Sequence, residues 1–434
     1  MSRLPVLSLS LALLAGSCGG GGAEAPSGDN GGRGGEISVG PPLPELIDES
    51  GAPAMSSASR IAFTGVSVRT LGPAGRLDAT TVVVENGRIA GIVPDAQFGA
   101  APGTEIIDAA GRWLMPGLVD SHVHMVPSGE DDLLLYLAAG VTAVRVMWGN
   151  EIYLRWRDEI AAGTRQGPYM WVASPGLDGA NAFWPGSVIV TSEVEARTAV
   201  DEMAAAGFDA IKVYNGLQPS QYVAIANEAE SIGIPFVGHV TGSDWNFPLD
   251  EQKVADLAER LFTAGIWNVP TFVVQLRIAD QVGELEAHPV MSWISPGMGD
   301  FLRDASTQPP AGPQPDPTTR FALLKLLHES GVRLAVGTDV GIRYVFPGFS
   351  LQEELQNFVR AGLSPEAAIH AATVSAWDLL GAADEGGTVE VGKRADLLLA
   401  ADPFADVDNL LRRVGVMANG RWYSQSHLLS LVEE

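Results

Sequence analysis

The chain has 434 residues, of which 46% are hydrophobic, so it is long enough to bury a large core and to form one large domain with a smaller one. Asp and Glu outnumber Lys and Arg by 52 to 27, and the formal net charge is −25. Because such a charge repels phosphate backbones and anionic lipid headgroups, the composition argues against nucleic-acid binding.

Residues 1–18 have the pattern of a bacterial secretory signal peptide. Arg3 precedes the apolar run LPVLSLSLALLA, which is too short to span a bilayer comfortably. The run ends in AGSC, and Cys18 is the only cysteine, so no intramolecular disulfide can form. This end is similar to a lipobox, which predicts export and a periplasmic or outer-membrane-anchored lipoprotein. An ordinary cleaved signal peptide is the alternative.

The next segments predict a flexible linker and a small sheet domain. Residues 19–58 are rich in Gly, Pro, Ser and Ala, a composition that cannot bury enough apolar surface to become ordered. Residues 59–115 contain alternating or β-branched runs broken by Gly and Asn-Gly, and a matching set occupies residues 385–425. We therefore predict a small β-sandwich domain built from both chain ends.

Residues 116–384 repeat one unit. Five times an amphipathic helical stretch ends at a glycine and leads directly into an apolar segment, as in AAGVTAVRV and ESGVRLAVG. Helix, glycine and buried strand in alternation indicate parallel β/α architecture, and the length favours an α/β fold of the TIM-like (β/α) barrel type. A doubly wound sheet is the alternative, but its glycine-rich nucleotide-binding motif is missing.

Several polar side chains follow the predicted barrel strands. His122 and His124 are two positions apart in GLVDSHVH and therefore face the same side of a strand. His239 ends PFVGH, Asp339 ends LAVGTD, and Lys212 lies near the end of DAIKVY. Taken singly, each fits a structural role such as a loop hydrogen bond, a turn cap or a salt bridge. Together at one barrel rim, imidazole and carboxylate groups suit Zn²⁺ or a similar divalent ion.

These motifs resemble those of the amidohydrolase superfamily. The resemblance covers residues 60 to 425 and includes GRWLMPGLVDSHVH, IKVY, VGHV, VGTDVG and the run from AAIHAATVSAWDLLG to GTVEVGKRADLLLAADP. More narrowly, the chain is similar to the imidazolonepropionase-like and prolidase-like branch. The resemblance implies a binuclear site in which His122, His124 and Asp339 bind one metal, His239 helps bind the second, and a carboxylated Lys212 bridges them. The implied cofactor is a divalent metal, Zn²⁺, with one or two ions per chain.

The resemblance also implies the chemistry. A metal-activated water attacks the carbonyl carbon of an amide, dipeptide, N-acyl amino acid or cyclic amide, and Asp339 passes the water's proton to the departing nitrogen. Tyr214 faces the same way as Lys212 and would hydrogen-bond the substrate, or it packs against a loop at the rim. The partner is then a small-molecule amide or dipeptide, membrane contact comes only through the lipid anchor, and the oligomeric state is left open.

One departure from the family pattern concerns the sixth barrel strand. The family carries a histidine there, usually in a string such as SIEH, whereas the stretch from His239 to Trp267 has room for one loop and one helix. We therefore predict a barrel without its sixth β/α unit, in which strands five and seven pair directly, leave two edges open, or accept a short substitute from SDWNF. Asp244 and His288 are candidates for completing the second metal shell.

Two functions remain open at this point. The first is an active metal-dependent hydrolase at the cell envelope. The second is a non-catalytic amidohydrolase-like lipoprotein, which the absent histidine would explain. A hydrolase that cleaves C–Cl or C–O bonds would require only different pocket residues on the same scaffold.

Overall fold

The computed structural model describes residues 7–10, 39–182, 184–238, 251–309 and 317–433. Its first strand, β1 (Leu7–Ser10), belongs to the central barrel rather than to the neighbouring sheet domain. Within these described ranges, no helix is both long enough and apolar enough to cross a bilayer.

Strands from both ends of the chain form one nine-stranded sheet. The amino-terminal strands are β2 (Met55–Ser56), β3 (Arg60–Arg69), β4 (Arg76–Glu85), β5 (Arg88–Pro94), β6 (Glu105–Asp108) and β7 (Trp113–Pro116), and the carboxyl-terminal strands are β17 (Leu397–Ala400), β18 (Arg413–Ala418) and β19 (Arg421–Ser424). β7 joins the two sets by pairing with both β3 and β17. The hydrogen bonds give a single sheet, so the predicted two-layered sandwich stays a prediction. Its buried core includes Phe63 and Trp422, whose rings meet edge to face at 5.4 Å.

The middle of the chain alternates strands and helices. In chain order these are β8 (Leu118–Val123), α1 (Leu133–Ala138), β9 (Val141–Val146), α2 (Glu151–Ala161), β10 (Tyr169–Val172), β11 (Leu177–Asp178), β12 (Val188–Ile189), α3 (Glu193–Ala205), β13 (Ile211–Val213), α4 (Pro219–Ile232), β14 (Phe236–Gly238), α5 (Glu251–Thr263), β15 (Trp267–Val269), α6 (Phe272–Leu276), α7 (Val282–Glu286), α8 (Pro296–Arg303), α9 (Thr318–Glu329), β16 (Arg333–Leu334), α10 (Ser350–Arg360), α11 (Pro365–Ala371) and α12 (Val374–Leu379). A last helix, α13 (Gln425–Glu433), packs against α1.

The helix ends follow the glycine pattern of the sequence. Gly233 ends α4 with a φ of 76°, a left-handed conformation that costs glycine little because it has no Cβ. The glycines of the other four repeated units also have positive φ angles, and these are Gly140, Gly207, Gly265 and Gly331. The prediction of repeated helix–glycine–strand units is therefore confirmed.

The parallel strands curl into a closed ring. One arc pairs β8, β9 and β10, and the other runs in the order β13, β14, β1, β15 and β16. Two backbone links join the arcs, because Val123 pairs with Val340 and Ala173 pairs with Ala210, both in parallel. This curled α/β fold is consistent with the predicted TIM-like barrel, and it brings the carboxyl ends of all these strands to one rim.

Strand β1 lies between β14 and β15 in the central sheet. Residues Leu7–Ser10 pair in parallel with β14 on one side and with β15 on the other. None of the three expected outcomes, which were direct pairing, two open edges or a substitute from SDWNF, included this arrangement. The SDWNF stretch itself lies in 239–250, outside the described residues.

Candidate functional site

Two histidines and one aspartate converge at the carboxyl end of the barrel strands. His122 is the penultimate residue of β8, and His124 directly follows that strand. Asp339 lies five residues after the end of β16. The Nε2 atoms of His122 and His124 lie 3.2 Å and 3.0 Å from Oδ1 of Asp339, and 3.3 Å from each other. Three donor atoms of different residues therefore surround one point at the barrel mouth.

The spacing of these donors fits a divalent metal ion. Ligands that lie about 2.1 Å from a tetrahedral ion are ~3.4 Å apart, which is close to the three separations found here. Two imidazole nitrogens and one carboxylate oxygen also form a donor set that zinc binds readily. The residues present thus match such an ion in both chemistry and distance.

The backbone around the cluster is held in place by a buried carboxylate. Asp120 accepts hydrogen bonds from the backbone N–H of His122 at 3.2 Å and from the N–H and hydroxyl of Thr338 at 3.0 and 2.7 Å. The N–H of Asp339 donates to the carbonyl of His122 at 2.8 Å. Asp120 therefore ties the first barrel strand to the last one directly beneath the three donors, which fixes their relative positions.

Burial and charge set the protonation states of the cluster. Burial lowers the pKa of His122 to about 4, although the charge of Asp339 opposes this shift. Burial alone would raise the pKa of Asp339, but His122 and His124 hold the pKa of this carboxyl well below its usual range. A neutral imidazole beside an ionised carboxylate is the state in which these groups bind metal ions.

Lys212 extends into the same cavity from β13. Its side chain is 1% exposed, and its backbone N–H donates to Oγ of Ser174 at 3.0 Å. Burial lowers the pKa of Lys212 to about 7, Asp339 opposes this shift, and Arg145 adds to it. The structure thus brings Lys212 to the cavity that holds His122, His124 and Asp339, while the predicted ligand His239 lies outside the described residues.

The cluster lies in a cavity of about 630 Å³. An aromatic wall is built from Trp148, Trp184 and Tyr214, in which Nε1 of Trp184 donates to the hydroxyl of Tyr214 at 2.9 Å and Trp148 meets Tyr214 edge to face at 5.8 Å. Burial raises the pKa of Tyr214 to about 12, so the phenol keeps its proton at neutral pH. The cavity is large enough for a small organic molecule.

Sequence reasoning did not single out nine further residues that line the cavity. They are Met125, Val274, Gln275, Phe301, Ser306, Thr307, Gln308, Ile342 and Arg343. Many of these belong to loops and to the proline-rich insertion, where periodicity gives no signal. Two of them could have been found from their position in the sequence, since Ile342 and Arg343 closely follow Asp339.

The two other candidate metal ligands do not join the described cluster. His288 begins a short helical turn, and its ring stacks on Phe346 with centroids 5.6 Å apart. It is absent from the residues that line the cavity, because the insertion folds its apolar side chains onto the barrel. Asp244 lies outside the described residues.

Comparison with known proteins agrees with this geometry. The sequence model of the amidohydrolase family matches residues 316–423, which include Asp339. Imidazolonepropionase of Chromobacterium violaceum is 24% identical over 388 residues, covering 75% of this chain and 86% of that enzyme. Matches to the adenine deaminases of Ruegeria sp. and Paracoccus denitrificans are 47% and 39% identical but span only 8% and 12% of those proteins.

Solved structures show the same fold. A bottromycin amidohydrolase superimposes with a TM-score of 0.67 at 25% identity, covering 88% of this chain and 90% of that one. A prolidase complexed with N-methylphosphonate-L-proline gives a TM-score of 0.64 at 20% identity, covering 84% and 99%. Together with the family match and the two strand-end histidines, these similarities support the amidohydrolase superfamily, in its imidazolonepropionase-like and prolidase-like branch, as the group that this chain resembles.

Proposed function

We propose that this protein is a metal-dependent hydrolase that cleaves the C–N bond of a small amide, dipeptide, N-acyl amino acid or cyclic amide. The observation that carries the proposal is the convergence of His122, His124 and Asp339 on one point in a cavity of suitable size. This convergence favours an active enzyme over the non-catalytic alternative, because three donors from two distant parts of the chain would not need this spacing in a merely structural role.

His122, His124 and Asp339 would hold one divalent ion, for which Zn²⁺ is the first candidate. Lys212, carboxylated as the family resemblance implies, would bridge to a second ion bound partly by His239. When bound, the metal supplies a water of lowered pKa and polarises the substrate carbonyl. The buried position of Lys212 in the same cavity supports its assignment.

The remaining chemistry belongs to the side chains of this chain. The carboxylate of Asp339 is ionised and would accept the proton of the attacking water, then deliver it to the nitrogen that leaves. Tyr214 keeps its phenolic proton, and its hydroxyl would donate a hydrogen bond to a substrate oxygen. The aromatic wall around Tyr214 would exclude water from the face of the substrate that packs against it.

We further infer that the chain has lost the sixth β/α unit of the barrel. Between β14 and β15 the structure describes one helix, α5, and the vacant strand position is filled by β1. Residues 239–250, which complete this connection, are too few for an additional strand and an additional helix. The second metal would therefore lack the histidine that relatives place on that strand.

We also propose that the chain is exported and lipidated at Cys18. The support is the sequence pattern, in which Arg3 precedes an apolar run and small residues precede the cysteine. Labelled fatty acid supplied to bacteria that express the chain should be incorporated into the wild type and not into Cys18→Ser. Equal labelling of the two proteins, or an intact first residue in the purified product, would contradict the proposal.

The decisive experiment for the hydrolase joins metal content to turnover. We expect about one or two metal ions per chain by elemental analysis, and hydrolysis of at least one member of a panel of dipeptides and N-acyl amino acids. Asp339→Asn should lower kcat by roughly 1,000-fold, because it removes the group that moves the proton. A metal-free wild type with no turnover across the panel would overturn the proposal.

A further inference from the structure

A second, smaller pocket lies between β15, β16, α6 and α9. It has a volume of about 30 Å³. That volume equals the share of one molecule in liquid water, so the pocket takes a single ligand of the size of a water molecule or a halide ion. Its polar lining residues are Asn268, Gln275 and Arg320, and the rest of its wall is apolar, formed by Pro270, Phe272, Leu323, Leu324, Leu327 and Leu334.

Asn268 is the most deeply buried polar group of this pocket. It is 2% exposed, and neither its amide nitrogen nor its amide oxygen has a hydrogen-bond partner among the described residues. Because side chains alternate along a strand, Asn268 lies on the face of β15 opposite to Trp267 and Val269, which pack in a different core cluster. A buried amide without a partner is destabilising, and such groups in folded proteins bind a water molecule or an ion.

Arg320 brings a positive charge to the same pocket. Burial and the charge of Arg343 both lower the pKa of Arg320, and no carboxylate of the described residues opposes them. Its Nη1 lies 3.5 Å from the carbonyl oxygen of Gln275, which is long for a hydrogen bond. By contrast, Arg277 forms two bonds of 2.8 and 2.7 Å to Glu353. A partly desolvated guanidinium without a carboxylate is stabilised by an anion that binds beside it.

Size and charge together select a small monovalent anion for this pocket. A water molecule would satisfy the amide of Asn268 but would leave the charge of Arg320 uncompensated, and a buried charge without a partner is the costlier of the two. Phosphate, sulfate and carboxylates are too large for a pocket with the volume of one water molecule. A halide ion accepts N–H groups from both the guanidinium and the amide, and the surrounding leucines need no hydrogen bond from it.

We propose that this pocket binds a chloride ion, held by the guanidinium of Arg320 and the amide nitrogen of Asn268. The ion joins β15 to α9, because Asn268 belongs to the strand and Arg320 to the helix. Gln275 lines both this pocket and the barrel-mouth cavity, so the ion lies next to a residue of the cavity wall. The site is separate from the cluster of His122, His124 and Asp339, and it does not depend on the hydrolase function.

The first test measures the thermal midpoint of chloride-free protein while sodium chloride replaces sodium gluconate at constant ionic strength. We expect a saturable rise of about 2 °C at ten times the dissociation constant, and no saturable rise with sulfate. Arg320→Met and Asn268→Leu should abolish the rise. Lys325→Met, which removes an exposed lysine of the same helix, is the matched control and should keep it. No rise in the wild type, or an equal rise in the wild type and all three variants, would overturn the proposal.

A second measurement locates the ion and requires no variant to fold. Crystals of the wild type grown in sodium bromide should show an anomalous scattering peak within hydrogen-bond reach of Arg320 and Asn268. Electron density in this pocket without an anomalous signal would identify a water molecule there and refute the halide site. Circular dichroism checks that the variants of the first test are folded, so that a lost chloride response reports the pocket and not a lost structure.

Discussion

Gly337 shows how a single position without a side chain shapes the proposed metal site. It precedes Thr338 and Asp339, and a Cβ at this position would lie 2.6 Å from Cγ1 of Val269, 2.8 Å from the backbone N of His122 and 2.9 Å from its Cβ. These distances are shorter than van der Waals contact, so an added methyl group would push His122 away from Asp339.

We therefore expect Gly337→Ala to weaken metal binding. The expected loss of affinity is about 10- to 100-fold, the range for residues that support a ligand rather than bind the metal themselves. Titration with a competing chelator measures it. Gly283→Ala, where no atom lies within 4 Å of the added Cβ, is the control, and equal metal affinities in the two variants would contradict the assigned role of Gly337.

Tyr214 allows a second test at the scale of one atom. Because its hydroxyl accepts from Trp184 and keeps its proton, Tyr214→Phe should remove a donor to the substrate. We expect kcat/KM to fall about tenfold, which corresponds to ~1.4 kcal/mol, with little change in the thermal midpoint. Tyr222→Phe is the matched control, since Tyr222 packs edge to face on Phe236 at 5.1 Å, away from the cavity lining. A Tyr214→Phe enzyme with wild-type kcat/KM would assign this tyrosine to packing alone.

At the scale of secondary structure, helix α10 caps helix α6 through the buried carboxyl group of Glu354. Glu354 is fully buried and accepts the backbone N–H groups of Phe272 and Val273 at 2.8 and 2.7 Å. Phe272 and Val273 are the first two residues of α6, so their N–H groups have no partner within that helix. The contact therefore fixes the helix whose residues Val274 and Gln275 form part of the cavity wall.

The protonation of Glu354 predicts a pH dependence of stability. Burial raises its pKa from 4.5 to about 8, even though the two N–H groups oppose the shift. The folded state thus binds this proton more tightly than the unfolded state does, so its contribution to stability is complete below pH 4.5 and is lost as the pH rises through 8. The free energy of unfolding should decrease by up to about 1.4 kcal/mol per pH unit within this window.

Glu354→Gln should remove that component, because glutamine does not titrate. Urea unfolding of both proteins from pH 5 to pH 8 measures the difference in the free energy of unfolding, which should shift in favour of the variant as the pH rises. The exposed residue Glu329 supplies the control, Glu329→Gln. A constant difference between Glu354→Gln and the wild type across this range would refute the prediction.

At the scale of the whole molecule, the amino-terminal strand closes the barrel. Leu7 pairs with Phe236 on β14, and Ser8 pairs with Trp267 on β15, so β1 satisfies two neighbouring strand edges at once. These same residues lie inside the predicted signal peptide. The lipidation that we propose requires cleavage before Cys18, which would remove β1. β1 therefore closes the barrel in the unprocessed chain, and its removal would expose the edges of β14 and β15.

We accordingly expect the full chain to be more stable than a chain that begins at residue 19. Calorimetry should show a thermal midpoint higher by several degrees for the full chain, because the shorter one lacks the hydrogen bonds of a buried strand. A synthetic peptide of residues 5–12 should restore part of the difference, whereas the same peptide with Leu9→Pro should not. Identical midpoints of the two chains would show that β1 contributes nothing to barrel stability.

Parallel strands and repeated helix–glycine units could be predicted because they depend on local patterns. Gly233 ends its helix because glycine adopts the left-handed backbone conformation at little cost. The spacing of His122 and His124 places both on one face of a strand. The cavity wall of Trp184, Phe301 and Arg343 could not be predicted, because loops and insertions carry no periodicity. The position of β1 was also unforeseen, since its partners are more than two hundred residues away.

The sequence by itself determined the β/α alternation, the family motifs and the identity of the residues that reach the barrel rim. Each of these follows from neighbouring residues, whose side chains alternate or repeat with the period of a strand or a helix. Only the tertiary structure decided that His122, His124 and Asp339 lie about 3 Å apart, that Lys212 reaches the same cavity, and that β1 completes the ring. The physical reason is that such contacts join segments far apart along the chain, and their distances are set by the closure of the barrel rather than by any local preference.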